Sequence, residues 1–288
     1  MVPSAQQRSD IHRRIQGAVG HVRLPFRSRA WRGQAGNWLG AGLGSSIDFQ
    51  DHRPYLPGDD PRYIDWQAYA RTGHYTMKLY REEVSPLVDL VLDVSASMFV
   101  DESKAVRTLE LFYFCIESAR HSAASLHCFA ADGGRLQALT IEQALTTGDF
   151  LAAIENGRPD LTRVPWRLGS LRILLSDLLF PGSPRATIGS LGSGKGRGLV
   201  FAPFCAEESS PNWSGNIALT DCETRHQRIQ RVTTDLLARY TQNYRRHFSL
   251  WRESARKHAV LIAQVGSEGG FREAMHGEAV PSGAVEFY

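Results

Sequence analysis

Apolar segments alternate with amphipathic ones through most of the chain after residue 85. Residues 87–94 are rich in Leu and Val without clean alternation, which predicts a strand covered on both faces. Residues 102–122 place apolar side chains at three- and four-residue steps, which predicts a heavily buried helix. Further strands are predicted at 125–131, 171–176, 198–205 and 259–265. Strands separated by helices predict a mostly parallel sheet flanked by helices, an α/β fold.

A second amphipathic segment follows the predicted strand at 198–205. Its apolar stripe predicts one long helix from Thr224 to Lys257 and consists of Ile229, Val232, Leu236, Tyr240, Tyr244, Phe248 and Trp251. The rest of this segment is basic, with nine Arg or Lys against Asp235 and Glu253. A solvated face is the default interpretation, and contact with an acidic partner or nucleic acid is the alternative.

The first 84 residues follow a different pattern. Residues 1–32 hold seven Arg, one Asp and few large apolar side chains, which predicts a basic tail or loosely docked arm. Residues 33–84 begin with a Gly-rich stretch and continue as a dense mixture of Asp, Arg and aromatic residues, with a short helix and a strand at 75–82. Residues 85–288 are the predicted α/β domain.

Composition narrows the function classes only a little. The 288 residues carry 33 Lys plus Arg against 30 Asp plus Glu, and a formal charge of +3 does not by itself indicate a nucleic-acid partner. No apolar run approaches the roughly 20 residues that cross a bilayer, so no membrane span and a cytoplasmic location are expected.

One Asp and two Ser follow the first predicted strand of the sheet. Asp93, Ser95 and Ser97 stand at alternate positions, so their side chains can point the same way. A carboxylate and two hydroxyls are hard oxygen ligands that suit Mg²⁺ or Mn²⁺, and water or an acidic side chain of a partner must complete the shell. We therefore predict a divalent-cation site here.

A second carboxylate, Asp177, follows the predicted strand at 171–176. Parallel neighbours deliver their carboxyl ends to the same edge of a sheet, so Asp177 is predicted to bind the ion or to hold its waters. The alternative for Asp93 and for Asp177 is that each caps the N-terminus of a helix.

These motifs resemble known families. Asp93-x-Ser95-x-Ser97 resembles the metal-ion-dependent adhesion site of von Willebrand factor A-type domains. Residues 45–265 resemble domain-of-unknown-function family 58 through a long clustered signature: Asp48-Phe49, Arg53-x-Tyr55, Pro57-Gly58-Asp59-Asp60, Arg62, Ile64-Asp65-Trp66, Ala70-Arg71-Thr72, Glu82-Glu83 and the later Leu219-x-Asp221-x-Glu223.

The resemblance implies a von Willebrand A-like α/β fold beside a small N-terminal β-rich element. It also implies an adaptor or chaperone-like role with a MoxR-type AAA+ ATPase, and no established catalytic activity. By the same resemblance, Asp93, Ser95 and Ser97 match the first metal loop and Asp177 the later acidic position. The Thr of the second loop matches Thr162, with Thr147 as the other candidate.

The family signature also has a physical interpretation of its own. Acidic and basic side chains interleaved with aromatics favour a structural network, with a partner-binding surface as a close second. The residues concerned are Arg53, Tyr55, Asp59, Asp60, Arg62, Asp65 and Trp66.

The leading hypothesis is therefore a non-enzymatic interaction module whose cation is completed by a partner's carboxylate. A metal-dependent hydrolase acting on phosphate esters ranks below it, because no nucleophile with its base is recognisable in the sequence. Nucleic-acid binding through the basic tail and long helix is the third hypothesis.

Overall fold

The computed structural model describes residues 2–26, 47–57, 60–82, 85–152 and 157–287. The chain divides into two compact units. The larger one contains the described residues of 1–28 and 86–288, and the smaller one those of 29–85. The predicted Gly-rich entry at 33–46 lies outside the described residues, as do Asp59 and Glu83.

The strands of the described residues are, in chain order, β1 (Val22–Arg23), β2 (Ile47–Pro54), β3 (Thr76–Glu82), β4 (Leu87–Asp93), β5 (Ser125–Asp132), β6 (Arg135–Leu139), β7 (Leu171–Leu175), β8 (Arg197–Phe204), β9 (Gly215–Thr220), β10 (Gln227–Val232), β11 (Leu261–Gly266) and β12 (Glu286–Phe287). The helices are α1 (Ala5–Ala18), α2 (Trp66–Thr72), α3 (Glu102–His121), α4 (Ile141–Thr146), α5 (Pro184–Gly192), α6 (Ala206–Ser209), α7 (Thr234–Lys257) and α8 (Phe271–Gly277). Single 3₁₀ turns span Pro61–Tyr63, Ala96–Phe99, Asp149–Leu151 and Leu161–Arg163.

A six-stranded sheet in the order β11-β8-β7-β4-β5-β6 is the centre of the larger unit. All neighbouring strands are parallel except β6, which returns antiparallel beside β5. This confirms the predicted α/β, Rossmann-like fold with a mostly parallel sheet. Strand β4 lies between β5 and β7, and six of its seven residues are buried because helices cover both faces.

Helices pack on both faces of this sheet. On one face, Phe248 and Trp251 of α7 join Ile188 of α5 and Val200 of β8 in one apolar cluster. The next residue of β8, Phe201, contacts Phe114 of α3 with ring centroids 6.3 Å apart. Successive strand residues point to opposite faces, so α3 covers the face that α7 leaves open.

The long helix predicted from Thr224 is shorter than expected. It begins only at Thr234, because the Thr233 side chain accepts the Leu236 N–H as an N-cap. Residues 227–232 instead form β10, which pairs residue for residue with β9 in an antiparallel hairpin. Ile229, which the stripe placed toward the core, is 80% exposed, so the prediction was wrong for this stretch.

The predicted basic tail is also wrong for residues 5–18, which form helix α1. Ser4 and Gln7 make a reciprocal capping box at its start. Ile11 and Ile15, four residues apart, are buried on one face of this helix. Charge density misled the prediction because a short apolar stripe is enough to dock a helix whose other faces are basic.

Helix α1 is attached to α3 by polar contacts as well. His12 Nε2 lies 2.6 Å from Glu117 Oε1, and Arg14 Nη2 lies 2.8 Å from Glu110 Oε1. Farther along, β1 pairs with β12 near the end of the chain. Residues 2–26 therefore belong to the larger unit, and over this range the nucleic-acid hypothesis loses the free arm on which it partly depended.

The smaller unit contains the β-rich element that the family resemblance implied. Strands β2 and β3 form an antiparallel pair, and Ile64 adds a bridge to Met77. Helix α2 is capped at its start by the Asp65 carboxylate and ends at Gly73, whose φ of +70° suits the left-handed cap.

None of the helices in the described part of the chain combines the length and apolar character that a bilayer span requires.

Candidate cation site at the carboxyl edge of the sheet

Three parallel strands bring polar residues to one edge of the sheet. In the register of β4 with its neighbours, Asp93 lies opposite Ala131 of β5, and Leu92 lies opposite Leu175 of β7. Ser176 immediately follows β7, and its hydroxyl donates to Asp93 Oδ2 at 2.7 Å. The ends of β4 and β7 therefore meet, as the sequence predicted.

The loop after β4 gathers the three residues of the predicted cation motif. The carboxylate of Asp93 is completely buried, and its Oδ1 accepts the Ser95 N–H at 3.0 Å. The hydroxyls of Ser95 and Ser97 lie 3.2 Å apart. Met98 and Phe99 are buried in the 3₁₀ turn that follows, so the loop is anchored to the core. One carboxylate and two hydroxyls thus share a small region.

Among the described residues, no positive side chain forms an ion pair with Asp93, and the pKa of Asp93 is consistent with this. Burial raises the pKa of Asp93, and the charge of Asp177 raises it further, to about 7. Hydrogen bonds from Ser176 and Ser95 oppose these effects without cancelling them. The Asp93 carboxylate therefore holds a proton more readily than a solvent-exposed aspartate does.

Asp177 is present at the same edge but is already engaged. Its Oδ2 lies 2.8 Å from the ammonium of Lys104, and its Oδ1 accepts the Leu179 N–H at 3.0 Å. Lys104 is fully buried and also contacts Glu208 Oε1 at 2.5 Å. Burial lowers the pKa of Lys104, but the charges of Asp177 and Glu208 outweigh it and raise that pKa overall. A role for Asp177 toward an added cation must therefore compete with Lys104.

Glu223 reaches this edge from the β9–β10 hairpin. The Ser97 hydroxyl is hydrogen-bonded to the Glu223 carboxylate. Burial raises the pKa of Glu223, and the negative charges of Asp177, Asp221 and Asp132 raise it further. The acidic motif containing Glu223 is visible in the sequence, but its position beside Ser97 is not.

Lys104, Ser176 and Glu208 were also missed as members of the site. A weak signal exists for Ser176, because it precedes Asp177 at the end of a predicted strand. Lys104 is one of several charged residues in a helix that is predicted to be heavily buried, and a charge in such a helix signals a buried ion pair. Glu208 lies in the short helix α6 and has no recognisable motif.

Neither threonine candidate joins the loop after β4 in the described part of the chain. Thr162 is exposed, and its hydroxyl donates to Asp160 Oδ1 at 2.6 Å. The Asp160 N–H donates to Gly133 O, which places this segment beside the β5–β6 turn. Thr147 donates to the Gln143 carbonyl at the end of α4, which follows the antiparallel strand β6. Thr162 is thus the nearer candidate, although its hydroxyl is in use.

The signature residues of the smaller unit take mostly local roles. Arg62 Nη2 lies 2.6 Å from Asp60 Oδ2, and this pair is solvent-exposed, so it contributes little stability. The carboxylate of Asp65 is buried and accepts the N–H groups of Gln67 and Ala68. Arg53 donates to the Pro54 carbonyl.

An aromatic group accompanies these contacts. Tyr69 and Tyr75 stack with ring centroids 4.5 Å apart, while Trp66 and Tyr55 pack against Tyr75 edge-on. Trp66 is 57% exposed and Tyr75 is 49% exposed. Asp65 and Asp60 thus fit the predicted structural network, and the aromatic group has the composition of a contact surface.

The donor set at the sheet edge fits a hard divalent cation in its chemistry. Within the described residues, no three His, Cys, Asp or Glu side chains are arranged to hold a metal ion. The loop after β4 offers one carboxylate and two hydroxyls, with Glu223 adjacent to Ser97. Oxygen ligands with excess negative charge are what Mg²⁺ and Mn²⁺ prefer.

Comparisons with known proteins add a partial family match. Residues 51–144, about a third of the chain, match the family described as "Protein of unknown function DUF58". This supports the family resemblance over a range that includes Asp93, Ser95 and Ser97 and stops before Thr162, Asp177 and Glu223. No curated protein matches.

A similar solved structure is the crystal structure of the conserved hypothetical protein BatB from Bacteroides thetaiotaomicron. It is 12% identical and superposes with a TM-score of 0.35 over 69% of this chain and 98% of that chain. A likeness this distant adds nothing to the description of the site.

Proposed function

We propose that this protein is a non-enzymatic interaction module that binds Mg²⁺ or Mn²⁺ at Asp93, Ser95 and Ser97, in the manner of a von Willebrand A-type adhesion site. The observation that carries the proposal is the state of Asp93. Its carboxylate is completely buried, and among the described residues its contacts are hydroxyls, a backbone N–H and a second carboxylate nearby. A buried charge without a positive partner is costly unless a cation joins it.

When bound, the cation would neutralise Asp93 and offer a coordination position to an incoming carboxylate. Ser95 and Ser97 would contribute their hydroxyls, and Ser176 would hold the second oxygen of Asp93. Asp177 takes part only in competition with Lys104, and Thr162 takes part only if its hydroxyl leaves Asp160.

We propose a MoxR-type AAA+ ATPase as the partner, with this protein as its adaptor. The support for this partner is the family resemblance of the sequence alone, since the family that residues 51–144 match is described as one of unknown function. An acidic side chain of the ATPase would complete the cation's shell. The exposed aromatic group at Trp66 and Tyr75 supplies a second surface of the kind that anchors protein interfaces.

The test is a pull-down of a MoxR-type ATPase in Mg²⁺ and in EDTA, with Asp93→Ala compared to wild type. We expect retention in Mg²⁺ only, and loss of retention in Asp93→Ala. Asp10→Ala is the matched control, because it removes an exposed carboxylate that is distant in sequence from Asp93. Equal retention in EDTA would contradict a metal-dependent contact, and Mg²⁺-dependent turnover of a phosphate ester would favour the hydrolase.

A further inference from the structure

The β9–β10 hairpin is weakly attached to the rest of its unit. Its two strands pair only with each other among the described strands, outside the six-stranded sheet. Val232 is the buried residue of β10, whereas every residue of β9 is exposed or half-buried. The hairpin therefore buries little apolar surface, and its position depends on a few contacts at its tip and base.

The tip of this hairpin is a well-defined turn rather than a loose loop. Asp221 Oδ1 accepts the N–H groups of Glu223 and Thr224 at 2.9 and 2.8 Å. The Asp221 N–H donates to His226 O at 2.9 Å, which closes the turn, and Arg225 has a φ of +60°. These bonds fix the backbone of Glu223, so its side chain leaves the turn in one direction.

That direction leads to the loop after β4. A hydrogen bond from the Ser97 hydroxyl to the Glu223 carboxylate counters the rise in the pKa of Glu223, and Glu223 and Cys222 are half-buried while the rest of the tip is exposed. Ser97 Oγ in turn lies 3.2 Å from Ser95 Oγ. The place where we expect a partner's carboxylate to approach the cation already has a carboxylate of the chain itself.

We infer that Glu223 is an intrachain ligand of the cation, and that it holds the position which a partner's acidic side chain must take. This inference rests on the proposed function, since it requires a cation at Asp93, Ser95 and Ser97. The hairpin is then displaceable. The bound cation holds it in place through Glu223, and a partner's carboxylate replaces Glu223 at the cation. Tethering gives Glu223 a high effective concentration, so only a well-positioned partner competes.

The experiment measures the metal alone, without any partner. Mg²⁺ and Mn²⁺ are titrated calorimetrically into wild type, Ser97→Ala, Glu223→Gln and Glu207→Gln. Glu207 is the matched control, because it is an exposed carboxylate of α6. We expect Glu223→Gln to lower metal affinity about tenfold or more, which is the effect typical of losing a residue that supports a metal site. Glu207→Gln should bind the metal as wild type does.

Hydrogen exchange supplies a readout that is independent of affinity. In wild type, Mg²⁺ should increase amide protection of residues 215–232, and in Glu223→Gln this increase should disappear at saturating metal. Circular dichroism of each variant verifies that the fold is retained.

The two proposals fail in different ways. If Ser97→Ala abolishes metal binding while Glu223→Gln binds as tightly as wild type and protects its hairpin, the cation site stands and Glu223 is not a ligand. If wild type itself binds neither metal, the cation site is wrong and the inference about Glu223 fails with it.

Discussion

Strand β4 carries two buried aspartates, Asp89 and Asp93, whose surroundings are opposite in kind. At the amino edge of the sheet, Arg167 Nε lies 2.6 Å from Asp89 Oδ1. The Arg167 N–H and the Ser170 hydroxyl both donate to Asp89 Oδ2, at 2.9 and 2.6 Å. At the carboxyl edge, the donors to Asp93 among the described residues are hydroxyls and a backbone N–H, and the charged group that shifts its pKa is another carboxylate, that of Asp177.

The difference separates a structural acid from the acid that we propose as a cation ligand. Both side chains are completely buried, so burial alone does not reveal a site. Asp89 has an ionic partner and two further hydrogen-bond donors, and these contacts tie the loop before β7 to β4. Asp93 has no ion-pair partner among the described residues, and under our proposal a bound cation supplies the missing positive charge.

The strongest test removes the partner of Asp89. Arg167→Ala leaves a buried carboxylate without its cation and should lower the free energy of unfolding by about 3–5 kcal/mol. Urea denaturation measures this loss, with Arg185→Ala at an exposed position as the control. A loss below about 1 kcal/mol, typical of surface pairs, would remove the contrast between the two edges.

The next test concerns the carboxyl edge's own ion pair. Lys104→Met deprives Asp177 and Glu208 of their shared ammonium and should lower the free energy of unfolding by about 3 kcal/mol. Adding Asp177→Asn should recover part of that loss, because the two residues are in direct contact. Additive effects in the double-mutant cycle would show that Lys104 is not the charge partner of Asp177.

Asp93→Asn should change the free energy of unfolding in the opposite direction, raising it rather than lowering it. In the metal-free protein the folded-state pKa of about 7 lies above the unfolded-state value of 3.8, so the folded state retains a proton that the unfolded state releases. The contribution of Asp93 to stability is complete below pH 4 and is lost as the pH rises through 7.

Asp93→Asn removes the ionisable group and with it that loss, so it should raise the free energy of unfolding at pH 8 by about 2 kcal/mol. This gain is smaller than the whole pKa shift corresponds to, because an amide does not reproduce the hydrogen bonds of the carboxyl group. Urea denaturation at pH 5 and pH 8 without metal measures it. Destabilisation at pH 8 on the scale expected for Arg167→Ala would mean that Asp93 is a structural acid like Asp89.

The smallest expected effect comes from Glu117, a third buried acid that has positive partners. Burial raises the pKa of Glu117, but His12, Arg120 and Gln16 outweigh it and lower that pKa overall. The contribution of Glu117 to stability is therefore present when the pH is above the ordinary pKa range of carboxyl groups, and it disappears as the pH falls below that range.

Glu117→Gln should accordingly lower the free energy of unfolding by about 1 kcal/mol at pH 7, with a smaller difference from wild type at pH 3. Because Glu117 binds His12, the same variant should loosen α1, which hydrogen exchange of residues 5–18 detects. Unchanged protection there would contradict a role for this contact in docking α1.

The larger unit was predictable where a single apolar period continued without interruption. Strands β4, β7, β8 and β11 and helix α3 follow the predicted pattern closely. The helical period predicted the wrong element at residues 224–233. Apolar residues at every third or fourth position are also compatible with a β-hairpin in which one of them is exposed. The period failed again at α1, where charge outnumbered a stripe of only a few apolar side chains.

The candidate site was predictable as far as strand ends determine it. Asp93 and Ser176 meet because β4 and β7 are parallel neighbours, and that follows from the alternating pattern of strands and helices. Thr162 did not follow the same logic, because its segment is a short turn in which Asp160 takes the hydroxyl.

The amino-acid sequence by itself determined the α/β order, the strand that carries the cation motif and the edge at which that motif lies. These properties depend on local periodicity and on chain direction, both of which are read along the chain. Only the tertiary structure decided the charge partners: Lys104 for Asp177, Arg167 for Asp89 and Glu223 beside Ser97. Such pairs join residues far apart in sequence, and packing alone brings their charges close enough to matter.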